Sequence, residues 1–297
     1  MRIGTAEPNS TFLHQGLALK AVLEKRGAPG PVEILTAMAA STENAQRLED
    51  GDLDFGFMAS NWIGRARLGQ TPFDKPIDLR MVAPANAGPL FFIVRADSDM
   101  RTVRDLRGKR VCTGARTSGM TQHAHSIFGA LGMSFDDFTP VYQHFAEGGR
   151  SLEKGEVDAQ LQCPIPNPEM TALDNRCDLR VLPYAQGDLD TVMAAVPWYR
   201  PVTMEKGDLR ALKEDVPQAA VVNVFVTHAR QDAALVAAVA KIMAQDCAEL
   251  VRLNALYKGM EKLFEPLRTQ GASALEFGGV KLHEGAIAAY RELGLLA

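Results

Sequence analysis

Apolar positions along the chain follow two rhythms: short β-branched or aromatic runs, and longer stretches with apolar residues three and four apart. Residues 2–5 read as a strand, 6–10 as a loop and 11–26 as an amphipathic helix. A strand follows at 31–36, with Val32 and Ile34 inward, then a helix that opens at 40–44 and runs through Leu48. Ser41 or Thr42 is the expected N-cap of that helix. Residues 51–54 form a turn, 55–58 a strand ending at Ser60 and Asn61, and 79–84 another strand. Alternation of this kind predicts a parallel sheet with helices on its faces.

A second series starts at the strongly β-like run 90–95 and a short helix at 102–109. It continues with strands at 111–113, 139–143, 157–162 and 179–182 and helices at 122–131, 145–154 and 168–173. Two series of one kind predict two similarly built lobes. Residues 192–217, with Pro197, Pro201 and Pro217, do not resolve into elements. After them come a strand at 219–227, one long helix at 233–253, and helices at 256–263 and 282–293. The sixteen prolines are expected almost wholly outside these elements, and no fixed-period repeat is present.

Candidate chemistry centres on residues 109–121, a strand, a loop of small and hydroxyl residues, and a helix beginning near Met120. Unpaired N–H groups at the positive end of a helix suit an anion. Arg116 adds a planar fork of donors that matches a carboxylate. The plainer alternative is a strand-to-helix turn with an ordinary serine cap. The loop lacks the lysine of a phosphate loop and the spacing of a dinucleotide fingerprint, which argues against a nucleotide. Ligands of open α/β sheets sit beyond the carboxyl ends of the strands. Loops rich in Ser, Thr and Asn stand at several such ends: 5–12, 40–44, 60–61, 114–121 and 162–164.

Composition narrows the classes. A net charge of -4 without a basic stripe argues against nucleic acid, and no run reaches the ~18 apolar residues of a membrane span. Four cysteines lie far apart without metal-site spacing and are expected as buried or free thiols, with a Cys163–Cys177 disulfide as the alternative. His123 and His125, two apart on a helix, face different sides and do not share a ligand. His144 with Glu147 is a second candidate pair, and Cys163 beside Pro164 stands at an exposed strand end, open to a nucleophilic or a structural role. No serine has a credible His and acid partner. The start lacks an export signal, so the protein is expected in the cytoplasm, or in the periplasm if a signal has been removed.

The order of these pieces resembles the type II periplasmic-binding-protein fold, and more closely the TAXI family of solute-binding receptors that serve TRAP transporters. The carrying residues begin with the opening strand and loop at 3–12 and the segment Ala40-Ser41-Thr42-Glu43-Asn44 with its Gly51-Asp52-Leu53-Asp54 turn. They continue with an Asp-Leu-x-Gly-Lys-x-Val unit at 105–111, the Gly114-Ala115-Arg116-Thr117-Ser118-Gly119 loop, and Leu-x-x-Gly-x-x-Asp-Ala at 152–159. The opening loop departs from the family, with Glu7-Pro8-Asn9 and only Phe12 near the usual paired tyrosines, and 199–215 lacks a Gly-Tyr-rich signature.

The resemblance implies an α/β fold of two lobes, 1–90 with 222–297 and 91–221, each a mixed, mostly parallel sheet flanked by helices. Strands 90–95 and 221–227 cross between them, with the ligand cleft at the hinge. It implies a receptor that captures a small organic acid or amino-acid anion by hinge closure, not an enzyme. The expected ligand-binding residues are Thr5, Ser10, Thr11, Phe12, Ser41, Thr42, Asn44, Ser60, Asn61, Arg116, Thr117, Ser118, Gly119, Met120, Thr121, Gln162 and Pro164. No cofactor or metal is implied. The expected partners are the anion and TRAP membrane subunits, around a monomer that is not membrane-embedded and binds no nucleic acid. The rival reading is a decarboxylase-like enzyme on the same fold.

Overall fold

A computed structural model describes residues 1–8, 10–116 and 118–297. The chain divides into two compact units, Met1–Ala87 with Val222–Ala297, and Gly88–Val221. In the first unit, β1 (Arg2–Gly4), α1 (Thr11–Lys25), β2 (Glu33–Leu35), α2 (Ser41–Asp50), β3 (Phe55–Ala59) and α3 (Ser60–Leu68) lead to β4 (Leu79–Arg95), which carries the chain into the second unit. There follow β5 (Arg110–Cys112), α4 (Gly119–Ala130), β6 (Thr139–Val141), α5 (Phe145–Glu153), β7 (Ala159–Gln162), α6 (Pro168–Arg176), β8 (Leu179–Val181), α7 (Asp188–Ala195) and β9 (Tyr199–Met204). Strand β10 (Val216–His228) returns to the first unit, which closes with α8 (Ala233–Gln245), α9 (Cys247–Leu253), α10 (Met260–Phe264), α11 (Leu267–Gln270) and α12 (Glu284–Glu292).

In the first unit β1 runs parallel to both β2 and β3, and β10 runs antiparallel to β3 with Phe225 opposite Phe57. Phe55 and Phe57 stack or tilt on Phe225 at 5.2 and 4.9 Å, and Phe12 stacks on Phe57 at 5.8 Å. Helix α1 turns Phe12, Leu19, Val22 and Leu23 onto this core. In the second unit β5 is parallel to β6 and β7, β7 and β8 are antiparallel to β4, and β9 is antiparallel to β10. Phe92, Phe128 and Phe138 pack there with ring centroids 5.2 and 4.6 Å apart. Parallel strands joined through helices put the carboxyl ends of β1 and β3, and of β5 and β6, beside helix N-termini. Among the described residues no helix is long and apolar enough to cross a membrane.

Several expectations change. Residues 60–68 are helix α3, whose apolar signal is narrow because only Ser60, Ile63 and Ala66 are buried. The strands expected at 79–84 and 90–95 are one strand, β4, which holds Pro84 and Pro89. A proline removes one donor without ending an extended backbone. Pro140, Pro201 and Pro217 lie in strands for the same reason. The expected helix at 233–253 breaks at Asp246, which leaves helical geometry at φ -102, ψ 24. The stretch 192–217, which does not read as elements, holds the end of α7, all of β9 and the first residues of β10.

The N-cap of α2 is Ala40, at φ 44 and ψ -111, rather than Ser41 or Thr42. Both hydroxyls have other work: Ser41 Oγ accepts from Ala59 N at 3.0 Å, and Thr42 Oγ1 donates to Ala39 O at 3.1 Å.

Candidate functional site

In the first unit the strand ends are tied together by their polar side chains. Thr5 is buried at the end of β1, and its hydroxyl donates to Leu35 O at 3.0 Å. Asn44, buried on α2, donates through Nδ2 to Thr5 O at 2.8 Å and Phe57 O at 3.0 Å, joining the ends of β1 and β3. Ser60 Oγ accepts from Val222 N at 3.3 Å, and Ser10 caps α1 by accepting from Leu13 N at 3.2 Å. Phe12 is buried in the core, and Thr11 is half-buried on the first turn of α1. Among the described residues, Asn44 Oδ1 and Asn61 Oδ1 are both buried without a hydrogen-bond partner.

The pattern alone did not flag a second polar group in this unit. Gln15 Nε2 and Asn223 Nδ2 both donate to Asn86 Oδ1, at 2.9 and 3.1 Å. The signal was visible in part, since Gln15 interrupts the apolar stripe of Phe12, Leu19 and Val22 on α1.

In the second unit the carboxyl ends of β5, β6 and β7 meet the starts of α4 and α5. Arg116 is exposed in the β5–α4 loop, its guanidinium carbon 3.9 Å from the centre of the Tyr142 ring. It has no carboxylate partner among the described residues, so stacking orients the fork and leaves its N–H donors available. Ser118 caps α4, accepting from Thr121 N at 3.3 Å, while Thr121 Oγ1 donates back into the loop, 2.9 Å from Ala115 O. Gly119 is exposed at the first position of α4 with open space where a Cβ would stand, and Met120 beside it is half-buried. Thr117 lies outside the described residues.

Among the described residues, three buried oxygens at these strand ends lack partners: Thr113 Oγ1, Gln143 Oε1 and Gln162 Oε1. Gln162 was expected from the sequence; Thr113, Tyr142 and Gln143 were not, although each is a polar group ending an apolar run. Pro164 follows Gln162 by two residues and is half-buried, its carbonyl accepting from Asn167 Nδ2 at 2.6 Å.

The reactive groups are spent elsewhere. Cys163 is buried, not exposed, and its thiol donates to Gly88 O at 3.6 Å. Burial pushes that thiol up to about 12, which disfavours the thiolate a nucleophile needs. All four cysteines are free, so the Cys163–Cys177 disulfide is absent. Among the described residues no group of three or more His, Cys, Asp or Glu could hold a metal ion. His123 and His125 do face different ways: His125 stacks on Phe135 with centroids 3.6 Å apart, and His123 is buried with Nδ1 2.7 Å from Tyr199 Oη.

Burial lowers His123 to about 4, below its ordinary value of 6.5. Between those values the unfolded chain binds the extra proton, so stability should fall as pH drops from 6.5 towards 4, by up to ~1.4 kcal/mol per pH unit. A His123→Gln variant should show a flatter dependence in urea titrations across that window. An unchanged slope would assign the acid sensitivity to other groups.

Both units thus present strand-end loops and helix N-termini on mixed α/β sheets, the layout of type II periplasmic binding proteins. Solved structures agree with that fold. The chain resembles the periplasmic aliphatic sulphonate binding protein SsuA from Escherichia coli at 17% identity and TM-score 0.52, covering 100% of this chain and 88% of that one. It resembles the periplasmic sulfonate-binding protein SsuA from Methylobacillus flagellatus at 15% identity and TM-score 0.60, covering 99% and 94%. A TctC solute binding protein from Polaromonas matches at 14% identity and TM-score 0.59, over 88% of this chain and 86% of that one. The chain belongs to the NMT1-like family, whose model matches residues 3–294.

Proposed function

We propose that the protein is a solute-binding receptor that captures a small organic acid or amino-acid anion by hinge closure and works in the periplasm with transporter membrane subunits. The observation that carries the reading is Arg116, an exposed guanidinium oriented by Tyr142, without a carboxylate partner among the described residues and two positions before Ser118, the N-cap of α4. A cation and a helix N-terminus together favour an anionic group. Fold and family support the receptor class, and the sulfonate-binding proteins among the similar structures add sulfonates to the acids worth testing. The TAXI motifs keep a TRAP-type transporter as the proposed partner, with the protein acting as a monomer.

Further roles are assigned on the same reading. Gly119 and Met120 with Ser118 and Thr121 shape the anion loop, joined by Gln162 and Pro164, and Thr117, outside the described residues, is kept as a candidate contact from the sequence. In the first unit, Asn61 and Asn44 each offer an unpartnered buried acceptor, while Thr5, Ser10, Thr11, Phe12, Ser41, Thr42 and Ser60 act by holding the loops in place.

A thermal-shift panel of mono- and dicarboxylates, sulfonates and amino acids tests the proposal. A ligand present at about 100 times its dissociation constant stabilises the fold by ~2.7 kcal/mol, and the melting point should rise by several degrees. Consumption of the ligand during incubation would favour the enzyme reading instead.

A further inference from the structure

Gln15 is fully buried on α1, and its Oε1 has no hydrogen-bond partner among the described residues. The side chain is held from the other end: Nε2 donates to Asn86 Oδ1, which also accepts from Asn223 Nδ2, so Oε1 is turned away from Asn86. The backbone beneath is fixed as well, because Tyr257 Oη donates to Gln15 O at 3.0 Å. An acceptor left unsatisfied in a buried position costs ~1–3 kcal/mol, which makes a rigidly held one a place that a donor should fill. Asn86 and Asn223 stand one residue from the points, 87–88 and 221–222, where β4 and β10 pass between the units. No formal charge belongs to the cluster.

We propose that Gln15, with Asn86 and Asn223 positioning it, forms a subsite in the first unit for a hydrogen-bond-donating group of the solute, an N–H or O–H. This rests on the receptor reading and narrows it: the solute is an acid that also carries a donor, and bare alkyl acids bind less well. Gln15 sets specificity by contact, and Asn86 sets it by holding the amide of Gln15.

Matched acids test it by isothermal titration: 2-hydroxypropanoate against propanoate, and 2-aminoethanesulfonate against ethanesulfonate. In the wild-type protein the donor-bearing member of at least one pair should bind about tenfold more tightly, the value of one buried hydrogen bond. Gln15→Met should bring that ratio close to one while leaving affinity for the donor-free acid unchanged. Asn86→Ala, which frees Gln15 Nε2, should lower the ratio by a smaller factor and serves if Gln15→Met does not fold. Acids that bind with no donor preference would overturn this inference and leave the receptor standing. So would a preference untouched by either substitution, the result expected if a buried water fills the place. Binding of none of the four acids, nor of any in the thermal-shift panel, would remove the receptor reading and this inference with it.

Discussion

Leucine at position 44 should cost the first unit about 2–4 kcal/mol, although its side chain branches as asparagine's does. Asn44 Nδ2 is the donor to Thr5 O and Phe57 O, and both contacts are buried. Leucine removes both hydrogen bonds and supplies nothing to the two carbonyls, so the price is set by the stranded acceptors as well as by the bonds. Space is short as well: a Cβ added at Gly56 would lie 3.2 Å from Asn44 Cβ, so the branched side chain has little freedom to shift. Urea denaturation followed by circular dichroism reads the change. A loss under about 0.5 kcal/mol would mean that Asn44 is not a structural tie, and would return it to the ligand-contact role expected from its loop.

Gly285→Ala should be at least as damaging, at roughly 3 kcal/mol or more, because its new methyl meets backbone rather than side chain. Helix α12 crosses α8 here, and a Cβ at 285 would collide with the Ala233 carbonyl oxygen and lie 3.0 Å from Ala237 N. Neither atom can turn aside without moving α8, which buries Val236, Val239, Ala240 and Met243 in the core. The neighbouring turns of α12 bury Ala286, Ala289 and Tyr290, and the Tyr290 hydroxyl donates to Val82 O, so parting the helices also strains that anchor. Gly129→Ala gives the opposite sign. That glycine is exposed on α4 with open space around it, and alanine there should stabilise by ~0.5–1 kcal/mol through helix propensity. Melting temperatures of the two variants decide the matter, and equal effects would contradict the close helix crossing.

The apolar rhythm carried the fold well where burial is one-sided. It placed α1 within one residue, and it found β7 and α5 from Leu152, Val157 and Leu161. It failed where burial is narrow or continuous: α3 shows too few apolar positions, and β4 is buried along nearly its whole length, so no alternation marks it as one strand across Pro84 and Pro89. The break at Asp246 is a matter of backbone angles at one residue in a stretch that reads as helix on both sides. The candidate site was legible at the level of loops rather than atoms. Hydroxyl and amide residues mark strand ends, but the letters do not say which are already occupied. Thr121 donates into the backbone, whereas Asn44, which donates through Nδ2, and Asn61 and Gln162 each keep a buried oxygen with no partner among the described residues. Tyr142 and Gln15 depend on contacts 26 and 71 residues away in the chain, to Arg116 and Asn86, which no local pattern encodes.

The most direct test of the receptor is an equilibrium titration of the intact protein with the best acid from the thermal-shift panel, set beside Arg116→Ala. The account predicts saturable binding of one ligand per chain, weakened about 10- to 100-fold without the guanidinium, as for loss of a charge-assisted hydrogen bond. Equal affinity in the two proteins would contradict an anion site at the start of α4.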